Sequence, residues 1–194
     1  GRNALYMPDA DAAKKAQAYL EDCMKEKNSS GGMVECVIKG VPAGIGEPAF
    51  EKLDAALAKA IFSIGAVKSF EVGDGIAAAS SDGLHNNDAY RMDEEGNVRK
   101  KTNHSGGITG GISDGAPIVL RAAFKPTPSV AAVQETVNRR GENIEISIKG
   151  RHDPIIVPRA VVVVESMAAF VILDAMLGSM TTRMDAVKDF FKNL

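Results

Sequence analysis

The 194-residue chain is long enough to bury a hydrophobic core without disulfides or metal, and its 45% apolar and 25% charged residues are ordinary for a folded globular domain. A formal net charge of −2 gives no global electrostatic case for nucleic acid, and Cys23 and Cys36, in no CxxC arrangement, suggest no metal or redox centre. No run reaches the roughly 18 charge-free apolar residues of a membrane span, since residues 160–177 contain Glu165 and Asp174.

The start, Gly1-Arg2-Asn3-Ala4, is neither an initiator methionine nor a signal peptide and reads as cut from a longer chain. Asp9 or Asp11 can cap a helix over residues 12–27, with Ala12, Ala16, Tyr19, Leu20 and Cys23 on its inward face. Residues 33–39 alternate apolar and polar as a strand with one buried face. A Gly/Pro loop over 40–48 follows, then a helix over 49–62 that turns Leu53, Leu57 and Ile61 inward. Residues 66–72 read as a second strand. Alternating polarity argues against a doubly wound parallel sheet and for an α+β arrangement.

Residues 80–104 hold few apolar side chains and predict a long surface excursion, a length at which loops are often functional or disordered. A strand is expected over 116–124 and another over 142–149, with Ile144, Ile146 and Ile148 on one side. The apolar run 158–177, with Pro158 in its first turn and Gly178 at its end, predicts a mostly buried helix. A short helix over 182–191 closes the chain, which is read throughout as a single domain, 1–194.

Three segments hold candidate chemistry. Residues 103–115 carry five glycines within ten positions, each costing about 0.5–1 kcal/mol relative to Ala in regular structure. Such density fits a backbone approached closely by a ligand or by another segment. It matches neither GxGxxG nor GxxxxGK[ST]. Lys125-Pro126-Thr127-Pro128-Ser129 is a rigid string presenting a cation and two hydroxyls, suited to phosphate or a flavin edge, or else a surface corner. Gly150-Arg151-His152-Asp153-Pro154, with Arg159 nearby, gathers an anion fork, a group titrating near neutrality and a carboxylate, or else an Arg–Asp pair fixing a turn. His85, His104 and His152 show no metal-ligand spacing. Lysine and arginine concentrate in the second half of the chain, as a local site for a small anion requires.

In order and spacing these three segments resemble the chorismate synthase family. So do Gly31 to Glu35, Gly44 to Phe50, Ala66 to Gly75 and Pro158-Arg159-Ala160, the likeness running from about Tyr6 to about Leu177. The resemblance implies a layered β-α-β sandwich with antiparallel sheets, here in part. It implies conversion of 5-enolpyruvylshikimate-3-phosphate to chorismate with reduced FMN, in the shikimate pathway, in the cytoplasm. Flavin contacts would fall on Gly65, Ala66, Gly110, Lys125, Pro126, Thr127, Pro128, Ser129 and Arg151. Asp153 would assist proton relay, with His152 organising the site and Arg159 binding the anionic substrate.

Gly65, Leu84 and Pro128 depart from the family's usual Gln, small hydroxyl residue and Ser. Family members are about twice this length, and their amino-terminal half holds the two principal acid/base histidines. The chain alone is therefore expected to be inactive, and an apolar face left uncovered would favour self-association. No metal, nucleic acid or membrane partner is expected. A flavin- or phosphate-binding module, and a structural or partner-binding α+β domain, are the alternatives.

Overall fold

The structure is a computed structural model that describes residues 3–150 and 152–192. In chain order it has α1 (Ala10–Lys25), β1 (Gly32–Ile38), α2 (Leu53–Phe62), β2 (Val67–Val72), β3 (Tyr90–Met92), β4 (Val98–Lys100), β5 (Ile108–Thr109) and β6 (Ile112–Ser113). These are followed by β7 (Ile118–Phe124), β8 (Gln134–Val137), β9 (Asn143–Ile146), α3 (Val157–Ser179) and α4 (Met184–Lys192). Short 3-10 turns occupy Gly75–Ser80 and Met180–Thr182. The protein is a mixed α+β chain whose two-stranded sheets, β3–β4, β5–β6 and β8–β9, are antiparallel. A three-stranded sheet has the order β1-β7-β2. Two compact units divide the chain, one formed by Gly1–Val34 with Ala123–Val162 and the other by Glu35–Ala122 with Val163–Leu194.

In the first unit, Asp9 caps α1, its Oδ1 accepting from the amides of Asp11 at 2.8 Å and Ala12 at 2.9 Å. The helix stops at Lys27, whose φ of 56° lets the amides of Lys27 and Asn28 close on the carbonyls of Met24 and Cys23. The buried face passes through Ala13, Leu20 and Cys23. Tyr19 points outward at 59% exposure, against the expectation, because it lies one residue, about 100° of helical turn, from Leu20. β8 and β9 pair across a turn in which Asn138 Oδ1 accepts from the amides of Arg140 and Glu142. Ile144, Ile146 and Ile148 remain 36–45% exposed there.

The second unit holds the most deeply buried side chains. α2 packs on β2 and buries Leu53, Leu57 and Ile61, one every four residues. It starts at Leu53 rather than near Ala49, because Pro48 and the positive φ of Phe50 (55°) keep the preceding segment out of the helix. β7 alternates along its whole length, with Ile118, Leu120, Ala122 and Phe124 buried. Within residues 80–104 the chain forms the β3–β4 hairpin, turned by Asp93, whose Oδ1 accepts from the amides of Glu95 and Asn97.

The helix expected to be mostly buried is not. α3 buries only the stripe Ala160, Val164, Ala168 and Ile172, while Val162 (61%), Phe170 (68%) and Leu173 (54%) face outward. Together with the turn that follows, it is long and apolar enough to cross a membrane by length and composition, at a mean hydropathy of 2.2 over its most apolar window. The same length and apolarity also suit the core helix of a protein in water.

Candidate functional site

In the first unit, two of the sequence-predicted segments are tied to one loop. Ser29 Oγ donates to the Thr127 carbonyl at 2.7 Å, and the Ser30 amide donates to the Pro154 carbonyl at 2.7 Å. Gly31 passes so close beneath the corner that a Cβ there would stand 2.5 Å from the Phe124 carbonyl oxygen and 3.1 Å from Pro126 Cδ. On the far side, the Pro128 carbonyl accepts from Gln134 Nε2 and from the Val130 amide, each at 3.0 Å. The corner 125–129 is thus held at several points, with Lys125 exposed. Thr127 Oγ1 is buried and, alone among the buried side-chain polar atoms of the described residues, has no hydrogen-bond partner. A buried hydroxyl without a partner is costly, and such groups commonly mark a bound molecule.

The Asp153 turn is equally defined. Arg159 grips Asp153 through both guanidinium arms, Nη1 to Oδ2 at 2.7 Å and Nη2 to Oδ1 at 3.2 Å. Arg159, expected to hold an anionic substrate, is therefore engaged with Asp153 and orients it. His152 Nε2 donates to the Ile148 carbonyl at 3.0 Å, which leaves Nδ1 as the acceptor in the neutral ring. A cavity of about 170 Å³ is lined by Lys27, Asn28, Ser29, His152, Asp153 and Pro154, among others. Arg151 lies outside the described residues.

The second unit carries Gly65, Ala66 and Gly110. Ala66 immediately precedes β2 with a φ of +71°, a conformation that L side chains rarely adopt. Gly110 and Gly111 form the two-residue turn of the β5–β6 hairpin, with φ of 63° and 88°, as a type I′ turn requires. A Cβ on Gly111 would strike Lys52 Cγ at 2.4 Å, whereas one on Gly110 would meet nothing within 4 Å among the described residues. Gly106, in contrast, is a packing glycine whose Cβ would lie 2.3 Å from the Gly73 nitrogen. Within the glycine-rich segment, Gly106 and Gly111 are packed closely against other parts of the chain, whereas Gly110 leaves its backbone open.

The sequence reading missed the buried ion cluster beside this hairpin. Lys100 Nζ reaches Asp114 Oδ2 at 2.5 Å, Ser105 Oγ at 2.7 Å and Asp88 Oδ2 at 3.3 Å, with the three charged side chains only 7–9% exposed. Burial alone would raise the Asp88 carboxyl. The amides of Ser105 and His104 and the Thr102 hydroxyl outweigh it and hold the carboxyl far below its ordinary value. Asp114 is lowered against the same burial penalty, chiefly by Lys100, and Lys100 is raised despite burial by Asp114 and Asp88. His104 Nδ1 donates to Asp74 Oδ2 at 2.6 Å. Nothing in the charge run Arg99-Lys100-Lys101 marks Lys100 as the buried member. Among the described residues no three His, Cys, Asp or Glu side chains are grouped to hold a metal ion.

These features define a mixed α+β protein with small antiparallel sheets. The chain belongs to the chorismate synthase family, whose profile matches residues 1–177. It is 66% identical over 192 residues to the chorismate synthase of Agathobacter rectalis, covering 99% of this chain and 52% of that protein. It is 49% identical over 183 residues to that of Cytophaga hutchinsonii, covering 94% of this chain and 51% of that protein. A crystal structure of chorismate synthase aligns with a TM-score of 0.72 at 31% identity, covering 96% of this chain and 49% of that one. The chain thus spans about half the length of the relatives it matches.

Proposed function

We propose that this chain is the part of a chorismate synthase that holds reduced FMN, serving elimination of phosphate from 5-enolpyruvylshikimate-3-phosphate to give chorismate in the shikimate pathway of the cytoplasm. The observation that carries the reading is the buried, unpartnered Thr127 hydroxyl in a corner whose backbone is pinned by Ser29 and Gly31. The donor set of the first unit fits the cofactor: a free hydroxyl at Thr127 and an exposed cation at Lys125 suit a phosphate or a polar ring edge, and in the second unit Gly110 leaves its backbone open. When bound, reduced FMN supplies the electron-rich ring that lets phosphate depart without net oxidation or reduction.

The chain's own residues then position and charge the site. Lys125 supplies positive charge to an anionic group. Asp153, fixed by the Arg159 fork, holds or passes a proton at a carboxylate oxygen, and His152, tethered through Nε2, offers Nδ1 to the same cavity. Ser29 and Pro154 fix the loop on which both turns rest. Gly65, Ala66 and Gly110 in the second unit, and Pro126, Pro128 and Ser129 in the first, are each proposed flavin contacts. Arg151 is proposed as a further flavin contact. The elements are taken to form part of the family's layered β-α-β sandwich, and the outward face of α3 around Phe170 and Leu173 supports association with a second copy of the chain. A light-scattering mass of one chain at micromolar concentration contradicts that last point.

The purified chain, given reduced FMN and the enolpyruvyl substrate without oxygen, is expected to form no chorismate. Addition of the separately produced other half of the Agathobacter rectalis relative is expected to restore formation. Turnover of about one per second by the chain alone, within the ordinary enzymatic range, contradicts the reading.

A further inference from the structure

The β5–β6 hairpin is supported unequally along its two limbs. On the β6 side, the Gly111 carbonyl accepts from the Leu53 amide at 2.8 Å, and Ile112 bridges to Gly46. Ser113 bonds Pro42 and Ile45 through both its hydroxyl and its amide. On the β5 side, Ile108 is buried and the Gly107 amide donates to Asn103 Oδ1 at 2.9 Å, while the side-chain tie next to the turn is that of Thr109, whose Oγ1 donates to Asp114 Oδ2 at 3.0 Å. Asp114 is itself held by Lys100 at 2.5 Å, and its other oxygen accepts from the Ala116 amide at 3.0 Å.

Lys100 could be read as a cation waiting for an anion. Its surroundings argue otherwise: all three ammonium hydrogens have acceptors, on Asp88, Ser105 and Asp114, and the side chain is 7% exposed. It has nothing left to offer a ligand. Its charge is instead spent on fixing two carboxylates, of which Asp114 reaches the strand that leads directly into Gly110.

We infer that Lys100 is a positioning residue for flavin binding, acting through Asp114 and Thr109 to fix the turn that presents the Gly110 backbone. The inference rests on the proposed flavin reading and adds to it a group that does not touch the cofactor. Short hairpins are marginal by themselves, so the turn-proximal end of the limb, tied through one carboxylate, depends on the cation that holds that carboxylate. Gly111 lies close against Lys52 and its carbonyl is held by the Leu53 amide at 2.8 Å, which leaves the β5 limb the greater freedom to set where Gly110 points.

The test compares the 194-residue chain with Lys100→Met, Thr109→Val and Thr109→Ser variants. Two measurements are made: amide hydrogen exchange over residues 108–113, without cofactor, and affinity for oxidised FMN by flavin fluorescence. Thr109 is exposed, so its variants keep the test intact if Lys100→Met fails to fold. Thr109→Val is expected to speed exchange over 108–113 and weaken FMN binding, each by about tenfold, with exchange in β7 unchanged. Thr109→Ser, which keeps the hydroxyl, is expected to stay within about twofold of the parent in both measurements. Lys100→Met is expected to exceed Thr109→Val. Unchanged exchange over 108–113 in Thr109→Val overturns the inference regardless of flavin, and faster exchange with unaltered FMN affinity overturns it too. Absence of saturable FMN binding by the unsubstituted chain overturns the functional reading together with this inference, and is distinguished by exchange still responding to Thr109→Val.

Discussion

Thr127 hides a hydroxyl that no described side chain or backbone group satisfies. Replacing it with Val is expected to leave the ligand-free chain as stable or up to about 1 kcal/mol more stable, since the unmet polar group disappears. The same change is expected to weaken FMN binding, so thermal melts with and without FMN should move in opposite directions. At Asp88 and Asp114 the folded carboxyls lie below their unfolded values near 4, so protons bind the unfolded chain first as acid is added. Their contribution is present above about pH 4 and is lost as the pH falls through the folded values, whereas that of the raised Lys100 is present below its ordinary value of 10.5 and is lost as the pH rises through the folded value. Melting temperature between about pH 6 and 3 should fall less steeply in Asp88→Asn than in the parent, from a lower start. Parallel curves contradict this. Asp88 and Lys100 carry no distinguishing mark in the sequence, because their burial depends on pairings across 12 to 17 residues.

Elements with a repeating pattern were readable, and those without were not. β7 alternates over seven residues and α2 repeats every four, so both were located from sequence, with α2 starting late at Leu53. β3, β4, β5 and β6 have two or three residues each, too few to show a period, and their turns are made by Asp93 and by the Gly110–Gly111 pair. α3 misled for a different reason: an apolar run signals burial on all sides, yet only one stripe is covered. The start of α1 was legible as a choice between Asp9 and Asp11, and the structure selects Asp9. Asp9→Ala should lower stability by about 1 kcal/mol in urea unfolding, while Asp11→Ala should cost less because Asp11 accepts no amide cap bond. Equal losses contradict the assignment. In the core of the second unit, Leu57→Ala should cost about 2–5 kcal/mol by the same measurement, as its side chain is fully buried.

At the scale of the whole molecule, family membership was legible because several motifs recur in order, each built around residues that backbone geometry or chemistry makes hard to replace. Gly106 and Gly111 pack where a Cβ would clash, and the corner 125–129 is held by Ser29 and Gln134. Placing Lys125 and Asp153 on one loop, through Ser29 and Ser30, was beyond the sequence, because those bonds join positions about a hundred residues apart. The chain spans about half the length of its relatives, so flavin binding and turnover separate into two questions. The more direct of the two is an oxygen-free titration of the purified chain with reduced FMN, with and without the enolpyruvyl substrate. Saturable binding at about one flavin per chain, tightened by the substrate and weakened at least about tenfold in Lys125→Met, is the predicted result. No saturable binding in either condition, or binding indifferent to Lys125, contradicts the claim that this half of the family fold holds the cofactor.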